Sequence, residues 1–203
     1  MTMEANPIPL PAPQTTGPLS VEETLVQRRS VREYQPESLT LAEVGQLLWA
    51  AQGIIQPGDH RTAPSAGATY PLEILLAAGN VHDLSPGLYR YYPLEHALVP
   101  MLEGDLRGKL AAAALDQLFM KDGAAALVIN AIYERTSGKY GQRGLRYVHM
   151  EVGYASENIH LQAAALGLGT VAVGAFHDDR VQELLNLSAN EHPLLIMPVG
   201  KSY

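Results

Sequence analysis

The stretch from residue 145 to residue 166 is the feature that most restricts what this chain can fold into. Its apolar residues recur at helical spacing and share one stripe: Leu145, Val148, Val152, Ala155, Ile159 and Leu166. This spacing predicts a long helix with one buried side. Because a helix of that length must bury its stripe against several other elements, we expect it at the centre of the domain.

Shorter elements are predicted on both sides of this helix. The capping boxes Ser20-x-x-Glu23 and Thr40-x-x-Glu43 indicate where two helices begin. Further helices are expected over residues 106–118 and 178–187, strands over 72–78, 124–133, 170–176 and 194–199, a hairpin over 88–101, and a long loop over 53–70. Since helices stand before, between and after the strands, the order favours an α+β sandwich over a doubly wound sheet.

The chain reads as one domain with a short leader. Residues 1–19 contain five prolines and are expected to stay extended, either disordered or lying on a surface, whereas residues 20–203 form the single domain. The leader lacks the basic start and apolar run of a signal peptide. No apolar run reaches the roughly 18 residues of a membrane span. The sequence therefore predicts a cytoplasmic protein that does not bind membranes.

The charge is acidic overall, but the basic residues are bunched. Lys and Arg number 14 against 21 Asp and Glu, a net charge of −7, which argues against a nucleic-acid partner. Half of the basic residues lie within residues 28–32 and 135–146. Such local concentrations of arginine predict a site for a small anion such as phosphate.

Two motifs with the spacing of known binding sites are better explained structurally. Gly167-x-Gly169-x-x-Ala172 fits a loosened dinucleotide fingerprint, but here a helix precedes a strand, so we interpret the glycines as a helix stop. Glu157-x-x-His160 has the spacing of a di-iron ligand pair but lacks a second copy, so we expect a solvated helix face. The histidines are otherwise scattered, and no metal bound by protein ligands is predicted.

Nucleophilic catalysis has weak support as well, because the chain has no cysteine and no Gly-x-Ser-x-Gly elbow. Difficult chemistry would then have to come from a bound organic cofactor.

Four segments, in order, resemble the FMN-dependent nitroreductase superfamily. They are Arg28-Arg29-Ser30-Val31-Arg32 after the first short helix, the loop from Pro64 to Glu73, the segment from Gly167 to Phe176, and Pro198-Val199-Gly200-Lys201. The resemblance spans roughly residues 20–201. It implies a three-layer sandwich, with a mixed sheet flanked by helices around a long central helix, and a homodimer with the flavins at its interface.

The resemblance also implies roles for individual residues. Arg28, Arg29, Ser30 and Arg32 would hold the phosphate, ribityl chain and ring edge of FMN, and Lys201 would complete the phosphate site. Pro64, Ser65, Ala66 and Gly67 would reach the flavin ring, often that of the other subunit. The backbone amides of Gly174 and Ala175 would approach flavin N5. The chain departs from many members in having Ala68 where they have Asn, and only one basic residue after the last strand.

Within the superfamily the chain looks most like the azoline-oxidising, or SagB-type, dehydrogenases. Lys139 and Tyr140, in Lys-Tyr-Gly-x-Arg-Gly-x-Arg-Tyr, match a Lys-Tyr pair of that branch associated with oxidation of peptide thiazolines and oxazolines. Such an oxidation removes a proton while hydride leaves, so Lys139 could act as base. The plain alternative is an exposed cation in a glycine-rich loop.

Three functions follow from these observations. The first is an FMN-dependent oxidoreductase that transfers hydride by ping-pong from NAD(P)H to a small electrophile such as a nitroaromatic or a quinone. The second is a SagB-type azoline dehydrogenase that uses FMN and oxygen, with Lys139 and Tyr140 as its catalytic residues. The third, of another class, is a flavin-binding protein without turnover.

Overall fold

A computed structural model describes residues 6–56 and 60–203 of the chain. The strands are β1 Ile8–Pro9, β2 Ile54–Gln56, β3 His60–Arg61, β4 Leu72–Ala78, β5 Gly87–Tyr92, β6 Ala97–Glu103, β7 Ala125–Ala131, β8 Leu168–Thr170 and β9 His192–Lys201. The main sheet has seven strands in the order β1-β6-β5-β4-β7-β9-β8, and a separate two-stranded hairpin is formed by β2 and β3.

The described part of the chain also contains six α-helices. They are α1 Val21–Gln27, α2 Leu41–Gln52, α3 Arg107–Ala113, α4 Glu134–Tyr140, α5 Arg143–Ala165 and α6 Asp178–Leu184. Both predicted capping boxes form. The Ser20 hydroxyl accepts from the Glu23 amide at 3.1 Å, and the Thr40 hydroxyl accepts from the Glu43 amide at 3.2 Å. These contacts satisfy amides that the first helical turn leaves without partners.

The sheet separates two layers of helices, as the α+β sandwich predicts. Along β4, Ile74 and Leu76 pack in the core shared with α2 and α5, whereas Leu75 and Ala77 pack in the core shared with α3 and α6. This alternation follows from the period of two along a strand. The 23-residue α5 supplies Val148, Val152, Ala155 and Ile159 to the first core, so the central position of the long helix is confirmed.

The pairing within the sheet differs from the expected mixture. Among the described residues, the pairs between its named strands are all antiparallel, and parallel geometry occurs only in isolated bridges such as Ser30 to Thr170. Hairpins join β4 to β5 and β5 to β6, and the longer, helix-containing connections also return their strands antiparallel to their neighbours.

Several element boundaries also differ from the sequence predictions. Residues 134–140 form α4 where a glycine-rich loop was expected, the third helix ends at Ala113, and the loop 53–70 contains the β2–β3 hairpin and a 3-10 turn, Ala66–Ala68. The strand expected over residues 170–176 ends at Thr170. The glycine stop after the long helix is confirmed, because Gly167 follows α5 with φ of 67°.

The leader packs on the domain where it is described. Ile8 and Pro9 pair with Leu98 and Ala97 at the edge of the sheet, and Gln14 exchanges hydrogen bonds with Gln46 on α2. Of the two expected states of the leader, lying on a surface is the one observed. Across the described ranges, no helix combines the length and apolar character needed to cross a bilayer.

Candidate active site

The arginine segment, residues 28–32, lies alongside β8. The Val31 amide donates to the Thr170 carbonyl at 2.9 Å, and Ser30 bridges Thr170. Gly169 permits this approach, because a Cβ there would lie 2.5 Å from Cγ1 of Val31. The segment therefore runs close beside β8, with the Val31 side chain packed against Gly169.

Each arginine of this segment has a different environment. Nε of Arg28 lies 3.6 Å from Oε1 of Glu157 on α5. The Arg32 guanidinium lies over the Phe119 ring, 5.8 Å from its centroid, a distance at which a cation and a ring attract. Arg29 lines two adjoining cavities, one shared with Ser30 and Arg32 and the other with Arg28. The segment therefore presents cations and a hydroxyl to open space.

Gly174 and Ala175 lie outside the sheet, in a segment that the sequence assigned to a strand. Val173 exchanges backbone hydrogen bonds with Ile196, and the next two residues then turn into solvent. Within the described residues, neither the Gly174 nor the Ala175 amide donates a hydrogen bond. Two exposed neighbouring amides without internal partners suit an electron-rich acceptor.

Gln117 belongs to the same region and was missed in the sequence. Its side-chain amide donates to the Ala175 carbonyl at 3.0 Å. Gln117 and Phe119 thus connect the segment of Gly174 to the arginine segment. No motif distinguishes a glutamine in a polar turn, so only the tertiary contacts identify it.

Lys201 is engaged elsewhere. Its ammonium forms an ion pair with Glu43, the glutamate of the α2 capping box. It lines neither cavity of the arginine segment. The ion pair links the end of β9 to the start of α2.

The loop with Pro64, Ser65, Ala66 and Gly67 packs against α4. Gly67 has φ of 61°, and its carbonyl accepts from Nζ of Lys139 at 3.3 Å. A Cβ at Gly67 would lie 2.4 Å from the Tyr140 hydroxyl and 2.6 Å from Nζ of Lys139. The structure thus brings the Lys-Tyr pair and this loop together, with Lys139 on a helix rather than in a loop.

Arg135 holds α4 in this position. Its guanidinium lies 2.6 Å from Oε1 of Glu73 and donates to the Tyr70 carbonyl at 3.0 Å. The hydroxyls of Thr69 and Thr136 are 2.8 Å apart. Arg135 is therefore structural, whereas Arg143 and Arg146 are exposed.

A cavity of about 270 Å³ opens beside the loop. It is lined by Pro64, Ser65, Ala66, Tyr147, Met150 and Tyr154. Tyr147 meets Tyr140 edge to face, with centroids 5.2 Å apart. Met150 and Tyr154 are each 48% exposed, which leaves an apolar surface along this side of α5.

Glu151 lies behind this cavity and was also missed in the sequence. It is 2% exposed, and burial raises its pKa to about 7 against the lowering effects of Ser65, Gln52 and Arg61. The Gln52 side-chain amide donates to its Oε1 at 3.5 Å, and Arg61 donates to Oε1 of Gln52 at 3.0 Å. Polar contacts therefore link Arg61 through Gln52 and Glu151 to Ser65 of the loop.

His160 corrects another expectation. The solvated helix face predicted for Glu157-x-x-His160 is wrong for His160, which is only 7% exposed. The end of α5 is covered by the arginine segment and the C-terminal residues, so His160 lines a cavity with Arg28 and Ser202. Its Nδ1 is buried and has no hydrogen-bond partner among the described residues.

Apart from Lys201, the candidate site residues, both those expected from the sequence and those found in the structure, form two groups within one chain. The first contains the arginine segment, Gln117, Phe119, Gly174 and Ala175. The second contains the loop, Lys139, Tyr140 and Glu151. The cavities of the two groups share no lining residue.

Comparison with known proteins identifies relatives of this chain. The family model described as the nitroreductase family matches residues 25–201. A nitroreductase homologue of Methanocaldococcus jannaschii is 48% identical over 183 residues, which cover 90% of this chain and 91% of that protein. The solved structure of a nitroreductase homologue from Ralstonia eutropha superposes with a TM-score of 0.83 at 29% identity, covering 97% of this chain and 90% of that one.

A more distant relative is the microcin B17-processing protein McbC of Escherichia coli. It is 30% identical over 169 residues, or 80% of this chain. The match spans 62% of the length of McbC.

Proposed function

The chain belongs to the nitroreductase family of oxidoreductases, and from this premise we propose that it binds FMN and transfers hydride from NAD(P)H to a small electrophile. When bound, FMN would supply the redox chemistry that the side chains described above lack. In the net reaction, a quinone would take up the hydride of NAD(P)H and one proton from water, giving the hydroquinone and NAD(P)⁺.

The observation that carries this proposal is the convergence of the first group of residues. Cationic side chains and the Ser30 hydroxyl border one end, and the amides of Gly174 and Ala175, which donate no hydrogen bond within the described residues, stand at the other. Phosphate, a polyol chain and an electron-rich ring edge need those donors in that order. The residues present therefore fit FMN.

Each residue has a role in this proposal. Arg28 and Arg29 would bind the phosphate, Ser30 the ribityl chain, and Arg32 the ring edge, with Phe119 orienting the Arg32 guanidinium. The amides of Gly174 and Ala175 would stabilise negative charge at the ring nitrogen that receives hydride. Gln117 would hold this segment through the Ala175 carbonyl.

The second group would complete the site from a second copy of the chain. The loop and the Lys139-Tyr140 pair lie apart from the first group within one chain, while apolar residues on α5 are exposed around the loop cavity. A homodimer that buries this surface would place the loop of one copy over the flavin of the other. Its closure would exclude water from the reacting atoms.

A second candidate function is azoline oxidation. The observation that favours it is the contact of both Lys139 and Tyr140 with the loop at Gly67, together with the similarity to McbC. In this direction a thiazoline would lose a hydride to the flavin and a proton to Lys139, giving the thiazole, and oxygen would take up the two electrons and two protons to give hydrogen peroxide.

An anaerobic titration separates the candidates. We expect the purified protein to show flavin absorbance that is bleached by NADH or NADPH and restored by a nitroaromatic or a quinone. Lys139→Ala should leave bleaching by nicotinamide intact. If the protein is instead bleached only by a thiazoline peptide, and Lys139→Ala abolishes that reaction, azoline oxidation is the function.

Flavin bleached by none of these donors would favour binding without turnover. A colourless protein that cannot be reconstituted with FMN would contradict the proposal altogether.

A further inference from the structure

The cavity at the end of α1 contains a histidine that the proposed function does not use. The cavity measures about 120 Å³ and lies between the arginine segment, the last turns of α5 and β8. Arg28, Arg29 and His160 supply its basic groups. The remaining lining combines the polar residues Gln27, Thr170 and Ser202 with residues that are small or apolar: Val31, Ala163, Ala164, Gly167 and Leu168.

His160 is placed to bind a ligand. The residue is 7% exposed, yet its Nδ1 has no hydrogen-bond partner among the described residues. Leaving a buried polar atom without a partner costs roughly 1–3 kcal/mol. A cavity-lining histidine in this state can recover that cost by bonding to a group that enters the cavity.

The cavity adjoins the site proposed for the rest of the flavin. Arg29 and Val31 line both this cavity and the neighbouring one of about 290 Å³, which also contains Ser30 and Arg32. A ligand with an anionic end and a polar chain could therefore extend from His160 past Ser30 to Arg32. The smaller cavity has the chemistry for the anionic end.

The charges around His160 favour an anion. Burial lowers the pKa of His160, Glu157 on the same helix raises it, and Arg28 from the arginine segment lowers it. Arg29 adds a further cation from that segment, and the C-terminal residues contribute Ser202. A bound dianion would offset the two arginines and stabilise the protonated imidazole.

Lys201 does not occupy this cavity, since its ammonium pairs with Glu43. We propose that His160, with Arg28 and Arg29, binds the phosphate of FMN, and so takes the place that the sequence prediction gave to Lys201. This inference rests on the proposed function, because it assumes that the chain binds a flavin. Its consequence is that His160 sets the preference for FMN over riboflavin, which lacks the phosphate.

The test compares the two flavins. The full chain, freed of bound flavin, is titrated with FMN and with riboflavin while the quenching of flavin fluorescence is followed. His160→Leu should raise the Kd for FMN about tenfold, the effect of losing one hydrogen bond to a charged group, and leave the Kd for riboflavin within about twofold. His160→Gln, which retains a donor, should restore part of the preference.

The matched control is His149→Leu on the same helix. His149 is exposed and bonded to the Tyr133 hydroxyl at 2.7 Å, away from this cavity. It should leave the preference unchanged. Repeating the titrations at pH 6 and pH 8 adds a second measurement. The ratio of the FMN Kd values of His160→Leu and wild type should be larger at pH 6, where more of the imidazole is protonated. Titration of the FMN phosphate affects both proteins equally and cancels in this ratio.

The outcomes are distinguishable. If His160→Leu weakens both flavins equally, or weakens neither, His160 is not a phosphate ligand and the inference is overturned while the proposed function stands. If the wild-type chain binds neither flavin, the proposed function fails as well.

Discussion

Glu151 couples the stability of this chain to pH. Burial at the side of α5 raises its folded-state pKa from 4.5 to about 7. Below pH 4.5 the carboxyl is protonated in both folded and unfolded chains. As the pH rises towards 7, the unfolded chain releases this proton while the folded chain retains it, so folding loses free energy until the folded pKa is passed.

Glu151→Gln removes this dependence. The free energy of unfolding of the variant minus that of wild type should be about 1–3 kcal/mol larger at pH 8 than at pH 5. The reason is that each unit by which the folded pKa exceeds the unfolded pKa corresponds to about 1.4 kcal/mol. Urea unfolding at both pH values measures the difference. Glu134→Gln, at an exposed position of α4, is the control for loss of one negative charge. An equal effect of Glu151→Gln at the two pH values would rule out a raised pKa.

At the scale of elements, the contact between the 3-10 turn Ala66–Ala68 and α4 decides where the Lys-Tyr pair lies. The turn needs a left-handed residue at Gly67, and the absence of a side chain there admits Nζ of Lys139 and the Tyr140 hydroxyl. The same helix is linked to the strand and the loop by the ion pair of Arg135 with Glu73 and the hydrogen bond between Thr136 and Thr69. The loop and the helix therefore form one unit.

Gly67→Ala and Gly141→Ala separate the backbone requirement from this contact. Gly141 also has positive φ, 56°, but a Cβ there meets no atom within 4 Å. Gly67 is left-handed helical, with ψ of 22°, whereas Gly141, with ψ of −144°, lies in a region essentially restricted to glycine. Gly67→Ala should therefore lose about 1 kcal/mol of stability in urea unfolding, and Gly141→Ala should lose more. The ends of Lys139 and Tyr140 can move, so steric cost at Gly67 adds little.

The two glycine variants should differ in turnover. Displacement of Lys139 and Tyr140 should lower the rate of quinone reduction or azoline oxidation about ten- to hundredfold in Gly67→Ala alone. Equal turnover in the two variants would show that the contact at Gly67 has no part in the reaction.

At the scale of the whole molecule, our proposal needs a second copy of the chain, because the two groups of site residues lie apart within one copy. Met150 and Tyr154 expose apolar surface beside the loop cavity, and Leu25 and Val26 do so on α1, which packs on α5. Exposed apolar surface of this kind favours association.

Tyr154→Glu should dissociate the proposed homodimer. A carboxylate buried without a partner costs at least about 2 kcal/mol, so the dimer dissociation constant should rise about thirtyfold or more. Sedimentation equilibrium over a range of protein concentrations measures this constant. Leu94→Glu, at an equally apolar exposed position in the β5–β6 turn, should leave it unchanged. A wild-type chain that sediments as a monomer throughout would contradict the homodimer.

Local signals in the sequence predicted much of the fold. The two capping boxes, the buried strand Leu72–Ala78 and the hairpin turn before Ala97 appear where they were expected, because each depends on residues only a few positions apart. The long amphipathic helix was found for the same reason. The four motifs also indicated the family, which the match over residues 25–201 shows.

The tertiary structure alone decided which side chains meet. Glu43 and Lys201 are 158 positions apart, and Gly67 and Lys139 are 72 apart, so no local pattern could predict either contact. The burial of Glu151 and His160 likewise depends on what covers each side of α5. The sequence by itself determined the elements and the family, because those signals are local; packing decided which polar groups lost water, and thereby which could bind a ligand or shift a pKa.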